Sequence, residues 1–135
     1  MLQSGLPEFV ADEEDLARFL TSSGQFSARV TKPAAFLPSP RDRETSVFRH
    51  GSEPREALWA IGREHGAGDR TLHGAAIVKG FQIRGATLEV IADEPPPQHA
   101  AIRGWPWLDG DPELQKARQK TLALDLASKA VLVRR

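Results

Sequence analysis

Proline fixes φ and carries no backbone N–H, so a cluster of prolines is barred from helix interiors and from sheet ladders. Six prolines of this chain fall in two clusters, Pro33, Pro38 and Pro40 early on and Pro95, Pro96 and Pro97 later. Regular elements must be laid out around those two breaks. The first break belongs to Lys32–His50, KPAAFLPSPRDRETSVFRH. The residues before its prolines, Lys32, Leu37 and Ser39, are pushed towards extended backbone. Ala34–Leu37 is then an apolar patch on a stiff segment, with Phe36 and Leu37 expected to bury. Pro40–Arg43 reads as a solvated turn, since charged side chains resist burial. Thr45–Arg49 reads as a strand with β-branched and aromatic residues. Lys32, Arg49 and His50 flank this loop, and a hairpin closing it would gather them into a cationic cluster. That cluster is either an anion pocket or a set of charges paired with Glu44, Glu53 or Asp93. Ordinary ion pairs are the commoner outcome.

A chain of 135 residues suits one domain with a modest core. We take residues 1–135 as one α+β domain, with 1–11 a tail or a docking strand. Eighteen basic and 18 acidic side chains balance, which argues against broad non-specific nucleic-acid binding and leaves room for a local patch. Cysteine is absent, so disulfides and thiolate chemistry are excluded. The MLQSGLPEF start lacks the pattern of a secretory signal, and no apolar run approaches a membrane span. The expected setting is therefore the cytoplasm, with no membrane partner.

Asp12 is a plausible N-cap, and Leu16, Phe19 and Leu20 at i, i+3, i+4 predict a short helix over 13–21. Alternation of Phe26, Ala28 and Val30 predicts a strand over 25–31. Ser52 as N-cap and Pro54 in the first turn predict a helix over 53–65, whose end is complemented by His65 and stopped by Gly66. Residues 72–79 and 86–92 read as strands, with 80–85 a third short strand or a hairpin connection. Three prolines at 95–97 must leave the sheet. Asp109 or Asp111 caps a final helix over 113–131, ending in a frayed Arg134–Arg135. The sum is α+β: a small, mainly antiparallel sheet with two or three helices on one face. The segments 32–44 and 93–108 are expected to meet at one end of it.

Strong chemical motifs are missing. His50, His65, His73 and His99 show no metal-ligand spacing, and no P-loop, dinucleotide fingerprint or G-x-S-x-G elbow occurs. No metal and no cofactor is therefore expected. His50 and His99 stand beside Arg49 and Arg103 at the ends of stiff loops. As a general base and acid, with Lys32 on the phosphate, they would serve a metal-independent ribonuclease. Each histidine is more simply a loop cap. Trp105-Pro106-Trp107 is either core filling or an aromatic docking step.

Three stretches, Lys32-Pro33-x-Ala35-Phe36-x-Pro38, Ser46-Val47-Phe48-Arg49 and His99-Ala100-x-Ile102-x-Gly104-Trp105-Pro106, together resemble a pattern of small bacterial proteins. The resemblance carries no activity. It implies a bacterial protein in which the central loop and the HAAIRGWP stretch form one feature. The leading functional expectation is a binding or accessory module without catalysis of its own, as in a defence or mobile-element complex. It would recognise a partner protein or an anionic ligand through Lys32, Arg49, His99, Arg103 and Trp105. Ribonuclease chemistry and specific nucleic-acid binding are the alternatives. Oligomeric state is not legible.

Overall fold

The computed structural model describes residues 2–49 and 54–135. Its frame is a six-stranded, wholly antiparallel sheet in the order β4-β5-β2-β1-β3-β6. The strands are β1 (Asp15–Leu20), β2 (Thr45–Arg49), β3 (Gly74–Lys79), β4 (Glu89–Ala92), β5 (His99–Arg103) and β6 (Val131–Arg134). Among the described residues three α-helices accompany them: α1 (Arg55–Ile61), α2 (Gly80–Gly85) and α3 (Pro112–Lys129). The α+β expectation holds. The helices α2 and α3 share one face, as predicted, and α1 lies on the other.

Two cores follow from the alternation of side chains along each strand. Leu16, Leu20, Ala76, Val78, Ala100 and Ile102 face Ile83 of α2 and Ala123, Leu126 and Ala127 of α3. Ala35, Phe36 and Trp105 close the same core. On the reverse face, Ala17, Phe19, Phe48 and Ala75 meet Leu58 of α1, together with Ala67 and Leu72.

That two-sided burial overturns the helix predicted over 13–21. Residues 16, 17, 19 and 20 are all buried because β1 is a central strand covered on both faces. Such strands read as near-continuous apolar runs, which match helical spacing equally well. Tertiary pairing with β2 and β3 decides the matter. Residues 25–31 form no strand, only an isolated bridge between Phe26 and Thr31 after a 3₁₀ turn at Ser23–Gln25.

Residues 80–85 form α2 rather than a strand or hairpin connection. The Gly80 and Phe81 amides donate to the Glu14 and Asp12 carbonyls, and the Gln82 side chain accepts from the Lys79 amide. Helix ends leave amides unsatisfied, and these contacts complete the first turn. Gly80 is required there, since a Cβ would collide with the Ala11 carbonyl. The predicted last helix is capped by Asp111, which accepts from the Leu114 amide at 3.1 Å. It stops at Lys129, and Val131–Arg134 pairs with β3 as β6 instead of fraying. The β-branched Val131 and Val133 favour that outcome. The prolines at 95–97 fall between β4 and β5, outside the ladder as expected. Ser52, the predicted cap of α1, lies outside the described residues.

Residues 2–11 lie against the domain. Val10 is buried, and the Ser4 amide and hydroxyl donate to the Glu94 carboxylate. Burial alone would raise Glu94. The bonds from Ser4, the Gln98 amide and the Arg49 charge outweigh it and hold the carboxyl below its usual range. A depressed carboxyl stabilises the fold above its unfolded pKa, and the effect is lost as pH falls through the folded value. Acidification from about pH 5 to about pH 3 should therefore destabilise the wild type more than Glu94→Gln, read as urea midpoints. Equal losses would contradict this account.

Among the described helices none is long and apolar enough to cross a membrane.

Candidate functional site

The two proline-stiffened segments do meet. The Arg43 guanidinium stacks 5.0 Å from the Trp107 ring centre and lies 3.7 Å from Asp109, and Arg103 lies 3.4 Å from Glu44. The predicted site residues nevertheless do not converge. Arg49 pairs with Leu16 in the ladder and points to the α2–α3 face. His99 pairs with Phe48 and points to the α1 face. The two are neighbours in the sheet whose side chains diverge.

Arg49 is spent internally. Its Nε and Nη2 donate to the two Glu14 carboxylate oxygens at 2.8 and 2.9 Å, and Nη1 donates to the Pro7 carbonyl at 2.6 Å. Trp105 is buried, with Nε1 donating to the Ile102 carbonyl at 3.1 Å. Arg103 sits at the far end of β5 between Glu44 and Asp93. Lys32 is exposed ahead of the 3₁₀ turn Pro33–Ala35, and among the described residues it has no ion pair. His50 lies outside the described residues.

Another set of residues does come together. A cleft of about 310 Å³ on the α1 face is lined by Arg18, Phe19, Ser46, Phe48, His65, Gly66, Arg70, Pro96 and His99. It has two cations and two imidazoles, and among the described residues no carboxylate lines it. Arg18, His65 and His99 are each placed by a specific feature of the fold.

Arg18 marks the point where β1 and β2 stop pairing: their ladder runs over Leu16↔Arg49 and Ala17↔Phe48 only. From there the Arg18 side chain bridges the gap, with Nε donating to the Ala35 carbonyl at 2.7 Å and Nη1 to the Ser46 carbonyl at 3.0 Å. Burial, and then the charge of Arg70, pull Arg18 down to about 10, so it remains protonated at neutral pH. Among the described residues neither Arg18 nor Arg70 is paired with a carboxylate.

His65 is set by a widened turn. After α1 the chain continues as a π-helical turn, Gly62–Gly66. Gly66 lies so close to the Phe19 ring that a Cβ would collide. The His65 ring stacks on Phe48, 6.4 Å between centres and 18° between planes. π-helical turns occur often at functional sites. His99 packs edge-on to the same Phe48, 5.3 Å away. Its Nδ1 donates to the Asp93 carbonyl at 2.7 Å, and the Asp93 carboxylate lies 3.4 Å off. In the neutral ring that contact puts the proton on Nδ1 and leaves Nε2 as the acceptor. Asp93 is itself held by Arg103 at 3.9 Å.

Chemically, the cleft can take an anion between two guanidiniums and present two imidazoles to it. Among the described residues no group of three His, Asp or Glu side chains is placed to hold a metal ion. No family model, no curated protein and no solved structure matches the chain.

His99 was singled out from the sequence. Arg18, His65 and Arg70 were not. The usable signal for Arg18 was an arginine inside the apolar run Leu16–Leu20, which on a central strand demands internal partners.

Proposed function

We propose that the protein is a small binding module for an anionic ligand, and that the ligand sits between Arg18 and Arg70. The observation that carries this reading is the approach of two like charges in one cleft, with no carboxylate among the described residues that line it. Holding a largely buried Arg18 beside a second cation is unfavourable, and a bound anion would relieve the repulsion and offset the burial of Arg18. Guanidinium is the group best shaped for a phosphate or carboxylate. The anion site of this reading lies on the α1 face, and Lys32, Arg49 and Arg103 do not line it. A docking role for the Trp-Pro-Trp segment is less well supported, because Trp105 is internal and Trp107 is covered by Arg43. An accessory role in a bacterial complex has only the KPxAFxP…HAxIxGWP resemblance behind it.

The test is thermal unfolding with added inorganic phosphate at constant ionic strength. A ligand that binds only the folded state raises the midpoint. The wild type should be stabilised, and Arg70→Ala should bind about tenfold more weakly, the loss of roughly 1.4 kcal/mol from a charge-assisted contact. Arg70 is the chosen position because it is exposed, whereas Arg18 also links β1 to β2. A wild type indifferent to phosphate would remove the reading.

A further inference from the structure

The cleft is one end of a longer basic strip. A second groove of about 310 Å³ is lined by Arg63, Ala67, Gly68, Arg70, Thr71, Leu72 and Arg135. Arg70 lines both. Four arginines, Arg18, Arg70, Arg63 and Arg135, therefore border two adjoining depressions, and none of them has a carboxylate partner among the described residues. One phosphate needs two of them; a strip of four fits a chain of phosphates. The protein's overall charge is zero, so this strip is a local feature rather than a consequence of general basicity.

At the end of the strip stand the two imidazoles, both packed against Phe48. His99 has the arrangement of a general base: Nδ1–H is held by Asp93, Asp93 is held by Arg103, and Nε2 keeps its lone pair. His65 is less enclosed, with Nε2 3.7 Å from the exposed Glu64 carboxylate. Among the described residues Ser46 is the one hydroxyl lining the cleft, and no hydrogen bond joins it to His99. A nucleophile supplied by the substrate suits this arrangement better than one supplied by the protein.

We propose that this cleft cleaves single-stranded RNA by transesterification, with His99 as general base, His65 as general acid, and Arg18 and Arg70 on the scissile phosphate. The proposal rests on the anion-binding reading and extends it to a substrate class. His99 Nε2 takes the proton of the ribose 2′-hydroxyl as its oxygen forms a bond to phosphorus. The bond from phosphorus to the 5′-oxygen breaks, and protonated His65 gives its proton to that leaving oxygen. The products are a 2′,3′-cyclic phosphate and a free 5′-hydroxyl. No redox partner or protein nucleophile is consumed. Arg63 and Arg135 hold flanking phosphates.

The experiment uses a labelled RNA oligonucleotide with the full chain in EDTA, alongside the same oligonucleotide carrying 2′-deoxyribose throughout. Cleavage to a 2′,3′-cyclic end is expected for the first and none for the second. General acid–base groups contribute about 100-fold or more, so His99→Gln and His65→Gln should each lose at least that much rate. Both variants should still bind the deoxy oligonucleotide, with a salt-dependent affinity weakened by Arg63→Ala. His65 stands partly at the surface, so its variant serves as the check if His99→Gln fails to fold. Binding of phosphate without cleavage of RNA overturns the proposal and leaves the anion-binding reading standing. Absence of phosphate binding in the wild type overturns both. Cleavage that persists at the wild-type rate in either histidine variant overturns the assignment of roles.

Discussion

Replacing Arg49 with alanine is expected to lower stability by about 3–5 kcal/mol, the range found when one partner of a buried ion pair is removed. The Arg49 side chain is only 1% exposed, and its guanidinium is divided among three acceptor groups. It forks onto both oxygens of Glu14, reaches the Pro7 carbonyl and approaches the Phe9 carbonyl at 3.4 Å. Glu14 in turn accepts from the Ala11 amide at 2.6 Å. Alanine would leave Glu14 without its counter-ion, two carbonyls without a donor, and Glu94 without the nearby positive charge that helps hold it ionised. Lysine should recover little, because one ammonium cannot reproduce a planar fork. Urea unfolding of Arg49→Ala, Arg49→Lys and the paired Arg49→Met/Glu14→Met decides the point. The paired variant should be far less damaged than Arg49→Ala, since an apolar pair leaves no orphan charge. A loss below about 1 kcal/mol for Arg49→Ala would mean that the guanidinium is solvated and free for a ligand.

The contrast between Arg49 and Arg18 shows where sequence reading reaches its limit here. Both lie on central strands, but only Arg49 was read from the sequence as an internal partner or a ligand contact. Arg49 stood beside a proline loop and a histidine, which made it conspicuous, yet Glu14 lies 35 positions away in the chain. Arg18 was hidden by a helical reading of its neighbours. Local signals sufficed where one element carries its own evidence. The alternation in Thr45–Arg49, the Asp111-Pro112 start of α3 and the proline block after β4 all appear in the structure as read. They failed where burial on both faces erases periodicity, as in β1. They failed again where neighbouring chain supplies the caps, as the 12–14 turn does for α2, and where pairing with a distant strand overrides helix propensity, as β3 does for Val131–Arg134. The cleft combines β1, β2, β5 and the turn after α1, so no single stretch of sequence contains its pattern. Only His99, fixed between a proline turn and a strand start, stood out in advance.

Trp105→Ala is expected to cost about 3–5 kcal/mol, the usual loss for a large aromatic removed from a core. Trp105 is 4% exposed and belongs to the core shared by Phe36, Ile102, Ala123 and Leu126. Its Nε1 has a partner in the Ile102 carbonyl, so the one polar atom of the ring is satisfied inside. The backbone that follows is clamped to α3, with the Leu108 amide donating to the Gln115 side chain at 2.6 Å and Gln119 donating to the Pro106 carbonyl at 2.8 Å. Truncating the indole would open a void under the start of α3 and loosen both clamps. Trp105→Phe keeps most of the ring volume and loses the hydrogen bond, so its cost should be nearer 1–2 kcal/mol, about that of one unmet buried carbonyl. Trp107→Ala removes a half-buried ring at the edge of the same core that also carries the Arg43 cation, and its loss should stay near 1 kcal/mol, about the value of a partly exposed cation–π contact. Urea midpoints ranked Trp105→Ala, then Trp105→Phe, then Trp107→Ala would place the first indole in the scaffold. A Trp105→Ala protein as stable as the wild type would return that ring to the surface, where an aromatic docking step requires it.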